Sequence, residues 1–195
     1  MKNLFRSSLL AGLFISIGCI VNLSVSGGIQ GAVLFSLGLL SVVNYKLKLY
    51  TGTAGFIEQT RISEYRDLGI ILLGNIVACA LISAVSYNSL PALDSSAIVQ
   101  KVLDLGFWRC GINAIFCSVL MTLAVKFGRE KNWLPLLFAV PVFILSGFRH
   151  SIADFYYYSL AGWNLSLFVI WIFEVLGNYI GCNLVRWLLM EKSQS

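Results

Sequence analysis

A chain of 195 residues with 58% hydrophobic and 12% charged residues is too apolar for a soluble globular domain, whose apolar share is about 45–50% and charged share about 25%. The expected class is an all-α integral membrane protein, a single transmembrane domain over 1–195 with length for about six spans of about 20 residues. The net charge of +5 does not point to nucleic acid, because the cations stand singly at the ends of apolar segments rather than along one basic face.

The first span is expected over about Ser8–Val25, closed by Ser26-Gly27-Gly28. Lys2 and Arg6 precede it, and without a small-residue cleavage site it is expected to stay in the protein. The second starts near Gln30 and stays apolar to Val43. It then meets Asn44, Lys46 and Lys48 before Leu49-Tyr50-Thr51-Gly52-Thr53-Ala54-Gly55, which predicts a broken helix. Irregular backbone at membrane depth is tolerated only where protein buries it or a cavity runs beside it. Glu58 to Asp67 reads as a charged loop, Leu68–Val85 as span three, and Tyr87–Ser96, with Pro91 and Asp94, as a polar loop.

Span four is expected over Phe107–Val125, between Lys101 and Asp104 on one side and Lys126, Arg129, Glu130 and Lys131 on the other. Span five starts at Trp133-Leu134-Pro135 and runs to Leu145. It breaks at Ser146-Gly147 into Phe148-Arg149-His150-Ser151-Ile152-Ala153-Asp154, which holds the only histidine of the chain. An ionisable group inside a membrane span costs a few kcal/mol, roughly 2.5–3.5 at a helix centre on insertion scales, so a polar cluster there marks a functional path or a cap on backbone groups. Span six runs from Leu165 to Met190 with Glu174 as its one acid, and Glu191–Ser195 is a short polar tail.

The halves repeat. Leu73-Gly74-Asn75-x-x-x-Cys79-x-Leu81 in span three recurs as Leu176-Gly177-Asn178-x-x-x-Cys182-x-Leu184 in span six, each after a broken helix. Three spans per half make the second copy inverted. The expected architecture is six transmembrane helices in a 3+3 inverted repeat, halves about 1–90 and 91–195, with two interrupted helices flanking a transport site near the midplane. Charge sets the orientation. With both termini inside, the cytoplasmic side collects Lys2, Arg6, Arg61, Arg66, Lys126, Arg129, Lys131, Arg186 and Lys192, against Lys101 and Arg109 outside. The expected location is the cell's inner, or plasma, membrane.

The five cysteines lie in or beside apolar segments without a Cys-x-x-Cys pair, and one histidine cannot complete a zinc site or a bis-histidine haem. No metal, cofactor, catalytic residue or enzyme activity is expected, and the cysteines read as packing residues.

Phe35-Ser36-Leu37-Gly38-Leu39 through Leu49-Tyr50-Thr51-Gly52, then Pro141-Val142-Phe143 through Gly147-Phe148-Arg149-His150-Ser151-Ile152-Ala153-Asp154, together with the two Gly-Asn pairs, resemble the formate/nitrite transporter family over nearly the whole chain. The resemblance implies an aquaporin-like fold and a homopentamer in the lipid bilayer, with one pore per subunit for a small monovalent anion or its conjugate acid: formate, nitrite, hydrosulfide or similar. Small residues such as Gly38, Gly74 and Gly181 suit such close helix packing. His150 would be the central pore histidine, linking transport to protons, and Thr51 the hydroxyl facing it. Leu49, Phe143 and Met121 would form the outer constriction, and Phe35 and Leu39 the inner one. Lys101 would be the vestibule lysine, and Ser118 would replace the family's asparagine in span four.

Three departures concern charge. Lys46-Leu47-Lys48 replaces a small, acidic stretch, Arg149 replaces the glutamate before the histidine, and Asp154 replaces the asparagine four residues after it. Arg149 and Asp154 either pair across the helix break, or Arg149 supplies a fixed positive charge that attracts anions to His150. Lys46 and Lys48 either do likewise from the other break or reach the headgroups. A relative that has lost transport and serves as a membrane scaffold or regulator is the alternative function that these changes suggest.

Overall fold

The computed structural model describes residues 2–57, 61–90 and 92–190, with side chains to 188. Met1, Glu58–Thr60 of the charged loop, Pro91 and the tail Glu191–Ser195 lie outside the described residues. The helices are α1 (Lys2–Ser24), α2 (Gly28–Asn44), α3 (Tyr50–Thr53) continued by a 3-10 turn at Ala54–Phe56, α4 (Ile62–Ser89), α5 (Ser96–Arg129), α6 (Leu134–Leu145), α7 (Ser151–Ala161) and α8 (Leu165–Met190). Among the described residues there is no strand.

Two element boundaries differ from expectation. Residues 62–67 open α4 instead of closing a loop, because Glu64, Arg66 and Asp67 are charged without breaking helical geometry. Residues 96–105 precede the expected span four as helix, with Asp94 Oδ1 accepting the Ser96 N–H at 2.8 Å and Gly106 (φ 73°, ψ 167°) turning the chain before Phe107.

Four helices, α1, α4, α5 and α8, are long and apolar enough to cross a membrane. α2 and α6 are shorter apolar helices, each followed by a break and a second short helix. α1 lies along α4 and α2, α5 lies along α8 and α6, and α2 meets α6 across the molecule. Small residues set the closest approaches. A Cβ at Gly12 would meet the Asn75 carbonyl oxygen at 2.5 Å, and one at Gly177 would overlap the Gly111 carbonyl oxygen. These contacts hold α4 against α1 and α8 against α5 at backbone distance.

That distance is what the breaks require. α2 ends with Leu47 N–H on the Val42 carbonyl at 2.8 Å and Lys46 N–H on Val43 at 3.1 Å. α6 ends with Phe148 N–H on Phe143 at 2.9 Å and Gly147 N–H on Ile144 at 3.1 Å. These are Schellman caps with the left-handed residue at Lys46 (φ 53°) and Gly147 (φ 72°). Past each cap the chain is extended, at Leu49 (φ −98°, ψ 136°) and at His150 (φ −115°, ψ 101°), before helix resumes.

An asparagine from the neighbouring long helix then satisfies each extended segment. Asn75 Oδ1 accepts the Tyr50 N–H at 2.8 Å, and its Nδ2 donates to the carbonyls of Lys48 at 3.0 Å and Ser8 at 2.8 Å. Asn178 Oδ1 accepts the Ser151 N–H at 2.8 Å, and its Nδ2 donates to Arg149 at 3.0 Å and Ala114 at 2.8 Å. Both asparagines are fully buried.

Removing either side chain strands one backbone N–H and one carbonyl of the extended segment, Lys48 or Arg149, at about 1–3 kcal/mol for each group left unpaired, while Ser8 and Ala114 lie inside helices that use their carbonyls. We expect Asn75→Ala and Asn178→Ala each to lower the melting temperature in mild detergent far more than Leu81→Ala, whose side chain is 61% exposed. Equal melting of all three proteins would show that the clamps do not carry the breaks.

Candidate functional site

His150 is the N-cap of α7, 2% exposed, and its Nδ1 accepts the Ala153 backbone N–H at 3.2 Å. A nitrogen that accepts carries no proton, so the hydrogen-bond network assigns the neutral ring its proton at Nε2. Nε2 lies 2.9 Å from Thr51 Oγ1 and therefore donates to it. The threonine's own O–H is left free to rotate toward a third group. A second proton on His150 would have to enter at Nδ1 and would displace the Ala153 cap.

Thr51 sits one residue into α3 and His150 one residue before α7, so the two breaks deliver their polar groups to the same point. Both are buried. The Thr51 carbonyl accepts Cys182 Sγ at 3.1 Å, and the Ile152 carbonyl accepts Cys79 Sγ at 3.5 Å. The cysteines thus act as small buried donors beside the two re-entered helices, and all five are free thiols.

Two cavities lie beside this pair. One, of about 620 Å³, is lined by Phe35, Phe143, Lys101, Arg149, His150 and Asp154 among others. The other, of about 760 Å³, is lined by Lys46, Lys48, Arg129, Lys131, Trp133 and Gly52 among others, with no carboxylate among the described lining residues. His150 belongs to the first cavity, and Gly52, next to Thr51, to the second. The His150–Thr51 hydrogen bond thus joins a residue that lines the first cavity to the neighbour of one that lines the second.

The aromatic residues are arranged differently from expectation. Phe143 stacks on His150 with centroids 5.8 Å apart, and Phe35 meets Phe143 edge-on at 6.1 Å. Phe35 therefore belongs with Phe143, on the cavity that holds Lys101, and not with Leu39 in an opposite constriction. The reason is the start of α2: Gly28 lines that same cavity, so Phe35 lies near its mouth and Leu39 one turn deeper. Leu39, Leu49, Met121 and Ser118 are fully or almost fully buried, and none of them lines either cavity.

Arg149 Nε stands 3.5 Å from Asp154 Oδ2, which also accepts the His150 backbone N–H at 3.0 Å. The two residues thus pair across the break, as one of the two readings of the sequence expected, while Arg149 still lines the cavity. Lys46 and Lys48 line the opposite cavity. Sequence reasoning placed Arg129 only among the cytoplasmic charges; its guanidinium donates to the Gly52 carbonyl at 3.1 Å and stacks 4.0 Å over the Phe56 ring, fixing the segment after Thr51. Nor did it join Glu174 to Tyr158, whose hydroxyl donates to Glu174 Oε1 at 2.7 Å. Among the described residues no three His, Cys, Asp or Glu side chains converge on a metal position.

This geometry has relatives. In sequence the chain is 27% identical over 186 residues to the uncharacterized transporter YrhG of Bacillus subtilis (strain 168), covering 80% of this chain and 70% of that protein. In structure it is similar to a pentameric formate channel with formate bound, at TM-score 0.79 and 21% identity over 97% of this chain and 98% of that one. It is likewise similar to an FNT family ion channel, at TM-score 0.82 and 18% identity over 96% and 90%. The structural matches establish a shared all-helical fold. The sequence model of the formate/nitrite transporter family matches residues 1–190, and the chain, a multi-pass membrane protein, belongs to that family.

Proposed function

We propose that this protein is a membrane channel for a small monovalent anion or its conjugate acid, passing it between the two cavities through the His150–Thr51 partition. The observation that carries this reading is one hydrogen bond of 2.9 Å between two buried polar groups, of which His150 lines one cavity while Gly52, next to Thr51, lines the other. Formate, nitrite and hydrosulfide are the candidate substrates, in keeping with the family description and with the formate bound to a structural relative. The spans read as six, α1, α2 with α3, α4, α5, α6 with α7, and α8, in two inverted halves. The matched caps and asparagine clamps support that repeat. Assembly as a homopentamer follows the same structural relative. Both termini lie in the cytoplasm of a cell whose inner, or plasma, membrane holds the channel, by the distribution of positive charge.

Phe35 and Phe143 exclude bulk water on the Lys101 side, and the buried Leu39, Leu49 and Met121 close the path around Thr51. Ser118 stands among them as a polar group of the same buried layer. A bare anion in so dry a passage loses more hydration than one imidazole N–H and one hydroxyl return, whereas the neutral acid crosses at far lower cost. Lys101 and Arg149 raise the anion concentration at the mouth, and Asp154 holds Arg149 in place. His150 turns Nε2–H from Thr51 to the anion and, once a second proton from solution has entered at Nδ1, gives its Nε2 proton to the anion, leaving a neutral ring protonated at Nδ1.

Liposomes containing the purified protein should take up at least one of formate, nitrite, hydrosulfide, acetate and lactate, faster at acidic than at alkaline external pH. His150→Ala and His150→Asn should assemble normally and lower that uptake about tenfold or more, flattening its pH dependence. Wild-type liposomes impermeable to the whole panel would favour the scaffold or regulator reading. A native mass in lipid or mild detergent should be that of five chains, and reporter fusions at Met1 and Ser195 should both report cytoplasm. A monomeric mass, or termini on opposite sides, would overturn the assembly or the paired halves.

A further inference from the structure

α8 carries a single acid, Glu174, that the pore leaves without a role. Its side chain is 0% exposed. Oε1 accepts the Tyr158 hydroxyl at 2.7 Å, and Oε2 is buried with no hydrogen-bond partner. The charged and titratable groups that interact with it come from three elements: Tyr158 and Asp154 from α7, Arg149 from the break before α7, and Cys110 and Cys117 from α5. Arg149 is the one cation among them. Its Nε stands 3.5 Å from Asp154 Oδ2, so Asp154 is the carboxylate that Arg149 balances.

One guanidinium cannot neutralise two buried carboxylates. With both acids ionised the cluster would hold a net negative charge, concentrated on a carboxylate with an oxygen that no donor meets. Removing such a charge from water is among the most costly arrangements a protein interior offers, whereas a neutral carboxyl in the same place is tolerable. Tyr158 donates to Oε1, which leaves Oε2 as the oxygen able to carry a hydrogen.

We propose that Glu174 is a proton-binding site: it holds a proton on Oε2 at neutral pH, so that the Arg149–Asp154–Glu174 cluster behind His150 has no net charge. Asp154 connects this site to the pore, since the same Oδ2 faces Arg149 and accepts the His150 backbone N–H. The consequence for permeation rests on the anion reading above: an anion nearing His150 from the Lys101 cavity meets a neutral wall instead of a negative one. The proton itself does not depend on that reading.

Infrared spectra of the wild type reconstituted in lipid at neutral pH should show the carbonyl stretch of a buried protonated carboxyl, moved to lower frequency in heavy water. Glu174→Gln should abolish it. Glutamine still accepts the Tyr158 hydrogen bond, so this variant should keep the wild-type assembly. Its melting temperature should hold steady as pH is raised from neutral to alkaline while that of the wild type falls, because only the wild type must lose a buried proton. A wild-type spectrum without the band, or a band that persists in Glu174→Gln and so belongs to Asp154, overturns the proposal. Anion uptake measured on the same liposomes separates the two claims. The band without uptake removes the channel reading and leaves the proton site standing; uptake without the band does the reverse.

Discussion

Backbone that leaves a helix at membrane depth has to satisfy each N–H and C=O from inside the protein, and the fold is arranged around meeting this demand twice. Asn75 and Asn178 each present one acceptor and two donors to an extended segment and to a neighbouring helix. Their reach is short, so the helices that carry them must lie close to their neighbours. The small residues at Gly12 and Gly177 allow that approach. The clamps in turn fix where Thr51 and His150 emerge, because each is adjacent to a clamped residue. Packing of long helices is therefore converted, through two amide side chains, into a hydrogen bond between the two breaks.

The pair so formed is chemically asymmetric. His150 is held at both ring nitrogens, one occupied by the Ala153 N–H and the other by Thr51. A ring fixed in this way has one tautomer available while the cap is intact, and a change in its charge is also a change in the first turn of α7. Protonation of His150 is thus tied to a backbone hydrogen bond rather than to a freely rotating side chain. The stacked Phe143 ring limits the alternatives further by occupying the face to which the imidazole would tilt.

Much of this was legible in the chain itself. The apolar runs located the long helices. The polar residues that interrupt two of those runs located the breaks, and the lone histidine located the hydrogen-bonded pair. The repeated Gly-Asn pairs marked the two halves as copies of each other, and their work as clamps shows only once Asn75 and Asn178 meet the extended segments. What the residues could not convey was depth. Phe35 and Leu39 are one turn apart on the same helix, and only the position at which α2 begins decides that the first meets Phe143 and the second is sealed inside. Charge pairing was half legible: Arg149 and Asp154 are near in sequence and were candidates for each other. Glu174 lies twenty residues beyond Asp154, and its partners gather only when α8 packs along α5 and α7. Arg129 was read as a loop charge, and its contact with Gly52 depends on a segment from the other half of the chain.

The two cavities differ in a way that reaches beyond the site beside them. One presents Lys46, Lys48, Arg129 and Lys131 with no acid among its described lining residues, and the other sets Lys101 and Arg149 against Asp94 and Asp154. On the channel reading proposed above, equal bulk concentrations of an anion on the two sides become unequal concentrations at the two mouths, the excess lying on the Lys46 side and shrinking as salt screens it. Entry from that side is then the faster of the two in dilute solution, and the two entry rates converge as the ionic strength rises.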